Sequence, residues 1–213
     1  MFIVFEGTDG TGKTSYIRKL SEWLNTRGLD VISTRLPGGT ILGQKIRELL
    51  FGEEVNTKIL HRASSSLLYA ADFLETQLKI IKPALEAGRI VLCDRWCISE
   101  TAYNDGYDNY PDWHKRVIDT YLGLEIVPPD YIVFLTATPE VISKRLSNRA
   151  NIDKKQDGKL WGNLEKLVNI QHKYETILSN DPRVLKFDTS NDHTIELWKD
   201  VAKATFPELY SME

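Results

Sequence analysis

The chain has 213 residues, with 27 lysines and arginines against 30 aspartates and glutamates, for a formal net charge of −3. At this length one domain buries roughly 70% of its extended-chain surface, and 42% hydrophobic with 27% charged residues excludes general disorder and a strongly basic polyanion binder. The two cysteines, Cys93 and Cys97, make no disulfide framework, and no apolar run approaches the roughly 20 residues that cross a bilayer, so a reducing cytoplasmic setting without membrane or nucleic-acid partner is the expectation.

Phe2 to Phe5 is a short apolar run that stops at Glu6-Gly7 and reads as a buried strand. From Lys13 to Arg27, Ile17, Leu20 and Leu24 recur at threes and fours, a helix with one buried stripe. Gly28 ends it, and Asp30 to Ser33 gives a second strand. After Pro37-Gly38-Gly39 a helix carries Ile41, Ile46, Leu49 and Leu50, and a longer one runs from about Thr57 to Leu85. On that longer helix Leu60, Leu67, Ala71, Leu74, Leu78, Ile81 and Leu85 read as the core-facing stripe, with Pro83 bending or trimming the end. A second, partly polar stripe of Arg62, Ser66, Tyr69 and Phe73 reads as a cleft lining.

Arg89 to Cys93 is almost continuously apolar, as suits an interior parallel strand, and it ends in Asp94-Arg95. Tyr131 to Leu135 repeats the pattern, and Val184 to Phe187 is a weaker fifth strand. The intervals hold crossover helices, so a parallel sheet covered on both faces is the expected architecture. Asn151 to Gly158 is a polar insertion, and helices are expected over Leu160 to Leu178 and over Thr194 to Ala204, the last with Ile195, Trp198 and Val201 on one face. No repeat or composition break calls for a second domain.

Gly7-Thr8-Asp9-Gly10-Thr11-Gly12-Lys13-Thr14, followed by Ser15, is a complete GxxxxGKT pattern between a strand and a helix, the context of a P-loop. Its glycines let backbone N–H groups face phosphate oxygens, and the helix behind adds unpaired donors and the positive end of its dipole. Lys13 reaches the β and γ phosphates, and Thr14 gives a hydroxyl to magnesium. Asp94 is a second acidic group for that ion, directly or through water, with a strand-end cap or ion pair as the plainer alternative. Arg35, Arg47, Arg62, Arg95, Arg145 and Arg149 supply the planar forks suited to phosphate. The four histidines form no close metal-ligand pattern, so no structural metal site is expected.

These segments belong to a longer resemblance. FIVFEGTDGTGKT at Phe2–Thr14, TRLPGGT at Thr34–Thr40, GQKIRELL at Gly43–Leu50, LLYAADF at Leu67–Phe73, PALEAGRIVLCDRW at Pro83–Trp96, SETAYN at Ser99–Asn104 and PPDYIVFLTATPEVISKRLSNR at Pro128–Arg149 resemble the thymidylate kinase family of P-loop nucleoside monophosphate kinases. The resemblance implies a three-layer α/β/α fold on a mostly five-stranded parallel sheet, residues 1–213 as one kinase domain with a mobile lid at about 145–160, and a homodimer. It implies phosphorylation of thymidylate to dTDP with ATP and magnesium.

By the same resemblance Asp9 faces the acceptor sugar, Arg47 and Arg95 hold the acceptor phosphate, and Tyr69 stacks on the base. Ser99 and Tyr103 lie around base and sugar, and Arg145 and Arg149, one helical turn apart, are lid arginines that supply charge in the transition state. Left to themselves, Tyr69 reads equally as a half-buried helix aromatic, Ser99 as a helix cap and Tyr103 as surface packing. The chain departs from the family pattern at Leu36, at Trp96, at Asn104 and at Phe73, which stands where the family has an arginine that reads thymine. A broader or shifted monophosphate preference is therefore the alternative. A deoxynucleoside kinase is disfavoured because a neutral acceptor leaves Arg47 and Arg95 without an anion, and a nucleotide-switched interaction protein remains a third class.

Overall fold

The computed structural model describes residues 1–52, 62–103, 125–152, 164–191 and 196–211, with backbone alone at 62, 63 and 149–152. Five strands, β1 (Phe2–Glu6), β2 (Val31–Arg35), β3 (Ile90–Asp94), β4 (Tyr131–Thr136) and β5 (Val184–Asp188), form one sheet in the order β2-β3-β1-β4-β5, and every pairing is parallel. The chain leaves β1 for one edge and, after β3, crosses to the other side. The strand order thus reverses around the carboxyl end of β1, where ligands of such sheets bind.

The three central strands are apolar up to their last residues, Glu6, Asp94 and Thr136, because both faces are covered. Ile3, Phe5, Leu92, Val133 and Leu135 pack on one face against Tyr16, Ile17, Leu20, Trp23 and Leu24 of α1 (Lys13–Asn25), and against Val201 and Ala202 of α8 (Leu197–Thr205). On the other face Phe2, Val4, Val91 and Cys93 meet Phe73 of α3 (Arg62–Thr76), Ala84 of α4 (Lys82–Glu86) and Trp96. Ile132 and Phe134 meet Ala102 of α5 (Cys97–Tyr103) and Ile170, Tyr174 and Leu178 of α7 (Leu164–Leu178). This is the expected three-layer α/β/α arrangement. The edge strands β2 and β5 are only half-buried.

Thr40 caps α2 (Ile41–Phe51) by accepting from the Gly43 N–H at 2.9 Å, and Ile46 and Leu50 face inward while Ile41 and Leu49 do not. The remaining helices are α6 (Pro139–Ile152) and the short α9 (Pro207–Tyr210). Among the described residues no helix is long and apolar enough to cross a membrane.

The apolar stripe expected to face the core from the long helix holds only in part. Ile81 is buried and Leu74 and Leu85 pack against the same cluster, but Leu67 and Leu78 are 51% and 43% exposed and Ala71 is exposed, whereas Ser66, Ala70, Phe73, Thr76, Gln77 and Ala84 are buried; Leu60 lies outside the described residues. Two causes combine. Residues Gln77–Ile81 form a π-helical turn, whose smaller rotation per residue separates Leu78 from Ile81 although they are three apart. The buried polar side chains also have distant partners: Gln77 donates to the Glu125 carbonyl and accepts from the Val127 N–H, and Asp72 accepts from the Gly38 N–H.

Candidate active site

Gly7 follows β1 at φ 137°, and a Cβ there would stand 2.2 Å from the Leu135 carbonyl oxygen, so only glycine lets the loop lie this close to β4. Gly12 caps α1 at φ 92° with no side-chain hydrogen bond. The first N–H groups of α1 are thereby left for an anion, and the helix places roughly half a positive charge there. Lys13, the first residue of α1, is buried, and its Nζ donates to the Gly7 and Thr8 carbonyls at 2.9 Å each. Burial and the Arg95 charge push its pKa down to about 8, against the pull of Asp94, Asp9 and Glu6. Thr14 Oγ1 donates to Asp94 Oδ2 at 2.6 Å, which joins the start of α1 to the end of β3.

This loop forms one wall of a cleft of about 690 Å³, lined also by Arg35, Arg47, Asp94, Arg95 and Arg145. Arg47, on α2, donates to the Pro37 carbonyl at 3.3 Å. Arg95 follows β3 at φ 74°, a backbone conformation unusual for a side chain of this size. Its Nη2 bonds Asp9 Oδ1 at 2.6 Å and Tyr103 Oη at 3.0 Å, and its Nη1 donates to the Gly7 carbonyl, Ser99 Oγ and Tyr174 Oη at 3.0–3.2 Å. Burial tends to raise the Asp9 pKa, but Arg95, Lys13 and the Tyr103 hydroxyl outweigh it and hold the carboxyl at about 2. Asp9 is thus an anion at any working pH.

Arg145, on α6, reaches over the loop, donating to the Gly10 carbonyl at 3.1 Å and to Thr189 Oγ1 and carbonyl at 3.0 and 2.5 Å. Arg149 falls one turn further along α6, its side chain outside the described residues, as are Asn104, residues 153–160 of the expected lid, and the side chain of Arg62. Tyr69 is half-buried on α3, within electrostatic range of Glu100, Arg95 and Arg47, and burial and the Glu100 charge raise its pKa. Phe73, one turn on, is placed in the core with its ring 4.2 Å from Trp96, and like Ser66, Tyr69, Ser99 and Tyr103 it is not among the residues that line the cleft.

Beneath Arg95 lies a network that the sequence pattern announces only in part. Glu6, fully buried, accepts from the Trp96 N–H at 2.8 Å, Ser99 Oγ at 2.6 Å and Tyr174 Oη at 3.0 Å, and Ser99 and Tyr174 are themselves 2.6 Å apart. Burial raises the pKa of Glu6, with Ser99 and Arg95 opposing. Its sequence signal is a lone carboxylate ending an otherwise apolar strand. Tyr174 has none, because its place on the 167-170-174-178 stripe reads as packing.

Nucleotide phosphate fits this cleft on the chain's own features: a glycine cradle at a helix start, a buried ammonium, and a hydroxyl paired with a carboxylate. A model of the thymidylate kinase family matches residues 5–200. The chain is similar to thymidylate kinases from Trichodesmium erythraeum (34% identical, covering 89% of this chain and 88% of that protein), Finegoldia magna (35%; 89% and 90%) and Thermosipho africanus (33%; 84% and 87%). With the phosphate loop, its acidic partner and the arginines on one cleft, and with these matches spanning nearly the whole chain, the protein is a nucleotide-binding kinase that belongs to the thymidylate kinase family.

Proposed function

We propose that this protein transfers the γ-phosphoryl group of ATP to thymidylate, giving dTDP. The observation that carries the reading is that one cleft is lined both by the Lys13 loop and by the separate guanidinium groups of Arg47 and Arg95. The loop amides and Lys13 bind the donor phosphates. Thr14 Oγ1 and the Asp94 carboxylate hold the magnesium ion, which when bound neutralises charge on the donor phosphates. Arg47 and Arg95 hold the acceptor phosphate in line, reducing repulsion between two anions.

Asp9 orients the acceptor sugar, Tyr69 stacks on the base, and Ser99 and Tyr103 bound the same pocket. Arg145 and Arg149, with the lid at about 145–160 of a single domain, supply charge to the transition state and exclude water. A homodimer belongs to this reading, and the exposed Leu67 and Leu78 on the long helix support it; a single-chain mass by light scattering removes it.

ADP formation is expected to rise stoichiometrically with thymidylate and magnesium-ATP, and to stay at background with thymidine or with no acceptor. Equal rates with and without every monophosphate would sink the reading. A broader base preference is the second reading, favoured by the burial of Phe73, whose ring has no hydrogen-bonding group. It predicts comparable kcat/KM for thymidylate and at least one other monophosphate.

A further inference from the structure

On α5, Ser99 turns toward Arg95 and Glu6, and Tyr103 toward Arg95 and Asp9. Glu100, between them, turns to α3 instead, where its Oε1 accepts from Ser66 Oγ at 3.0 Å. Ser66 is buried and lies three residues before Tyr69 on one face of α3, and Glu100 is within electrostatic range of the Tyr69 hydroxyl, whose pKa its charge raises. An ionised carboxylate has roughly four acceptor sites, and Ser66 fills one of them. Among the described residues no cation forms an ion pair with Glu100. The next turn of α3 carries Phe73, stacked on Trp96 and without a polar atom. The polar group with spare capacity beside the stacking ring is therefore Glu100.

We propose that Glu100 reads the acceptor base, its carboxyl group meeting the imide edge of thymine, the N3–H and O4 pair, while Tyr69 covers the ring face. The inference rests on the thymidylate kinase reading above. A neutral carboxyl group sets one O–H donor beside one carbonyl acceptor, the complement of an N–H beside a carbonyl. The ionised form has acceptors only and repels O4. Burial raises the pKa of Glu100 to about 7, with the Ser66 hydrogen bond opposing.

Among the described residues the elements around α5 carry Tyr69, Asp72 and Glu75 on α3, Glu6 at the end of β1, Asp94 and Arg95 at the end of β3, Glu165, Lys166, His172, Lys173, Tyr174 and Glu175 on α7, and Cys97 and Tyr103 on α5 itself. Glu6, Arg95, Tyr103 and Tyr174 are bound up in the network with Asp9 and Ser99. Tyr69 keeps its proton, and burial pushes the Cys97 thiol up to about 12. The Glu100 shift is thus set by its burial, with the Ser66 hydrogen bond opposing, while Arg95 and Asp9 pair with each other. The acid form of Glu100, and with it thymidylate binding, prevails below about pH 7 and fades above.

The test is kcat and KM for thymidylate at saturating magnesium-ATP from pH 6 to 8.5, in the wild type, Glu100→Gln and Glu100→Ala. The wild-type KM is expected to rise about tenfold over this range while kcat moves little. Glutamine presents an amide donor and a carbonyl acceptor at every pH, so E100Q should hold a low KM without that rise. E100A should lift KM about ten- to a hundredfold throughout. Deoxyguanylate, whose base sets two donors side by side, should gain on thymidylate in the wild type as the pH increases. The second ionisation of the acceptor phosphate, near 6, is common to all three proteins and cancels.

E100Q with the wild-type pH profile, or with a KM as high as that of E100A, overturns the proposal, as does E100A with a wild-type KM. In each of those outcomes the enzyme still phosphorylates thymidylate and the kinase reading stands. A wild type inert toward every monophosphate overturns both.

Discussion

Replacing Lys13 with alanine is expected to cut turnover by about 10³-fold at saturating acceptor and magnesium-ATP, with little change in the melting curve. The ammonium is buried at the mouth of the loop and held by two backbone carbonyls, so it is placed before any anion arrives. Fixed donors aimed at developing charge in such a site contribute about 2.7–4 kcal/mol each, and a full positive charge belongs at the upper end of that range. Its pKa of about 8 is lowered mainly by burial, with Arg95 adding to the effect, and a polyphosphate beside it would favour the protonated form again. Steady-state ADP formation by Lys13→Ala, and by Lys13→Met to keep the apolar stem, is the measurement. Turnover by both variants within tenfold of the wild type would remove Lys13 from the mechanism.

What the sequence made legible divides along physical lines. β1, β3 and β4 are apolar up to their last residues, and the loop after β1 carries its glycines and lysine in one contiguous motif, so local signals suffice for both. The edge strands β2 and β5 have one covered side and weaker patterns. On the long helix Leu74, Ile81 and Leu85 pack as expected, while Leu67, Ala71 and Leu78 do not. The apolar repeat assumes an unbroken α period, but the π turn at Gln77–Ile81 rotates Leu78 away from the face that buries Ile81. The core face before that turn is partly polar, and Ser66 and Asp72 are tolerated there because Glu100 and the Gly38 N–H meet them from elsewhere in the chain. The placement of Asp94 beside Thr14 follows from strand-end geometry. The Glu6–Tyr174 bond joins residues 168 apart and has no local pattern to announce it.

Arg95 carries the second large expectation: Arg95→Ala should lower kcat/KM for thymidylate by about 10³-fold and introduce an acid limb in its pH profile that the wild type lacks. The two effects have one source. Arg95 is bonded to Asp9, Gly7, Ser99, Tyr103 and Tyr174, so it orients the proposed sugar-binding carboxylate as well as offering charge to the acceptor phosphate. Asp9 is held at about 2 because Arg95, followed by Lys13, overcomes the upward push of burial. A depressed carboxyl of this kind stabilises the fold fully above its ordinary value of 3.8 and loses that contribution only as the pH falls through about 2. Without Arg95, burial is left opposed by Lys13 and Tyr103 alone. The Asp9 pKa then moves upward, so protonation of Asp9 enters the assayable acid range. Arg95→Lys separates charge from geometry, since an ammonium keeps Asp9 ionised but cannot reproduce the fork that reaches five partners. It should abolish the acid limb while recovering only part of the lost kcat/KM. An acid limb of equal strength in the alanine variant and the wild type would mean that Asp9 owes its ionisation to something other than Arg95.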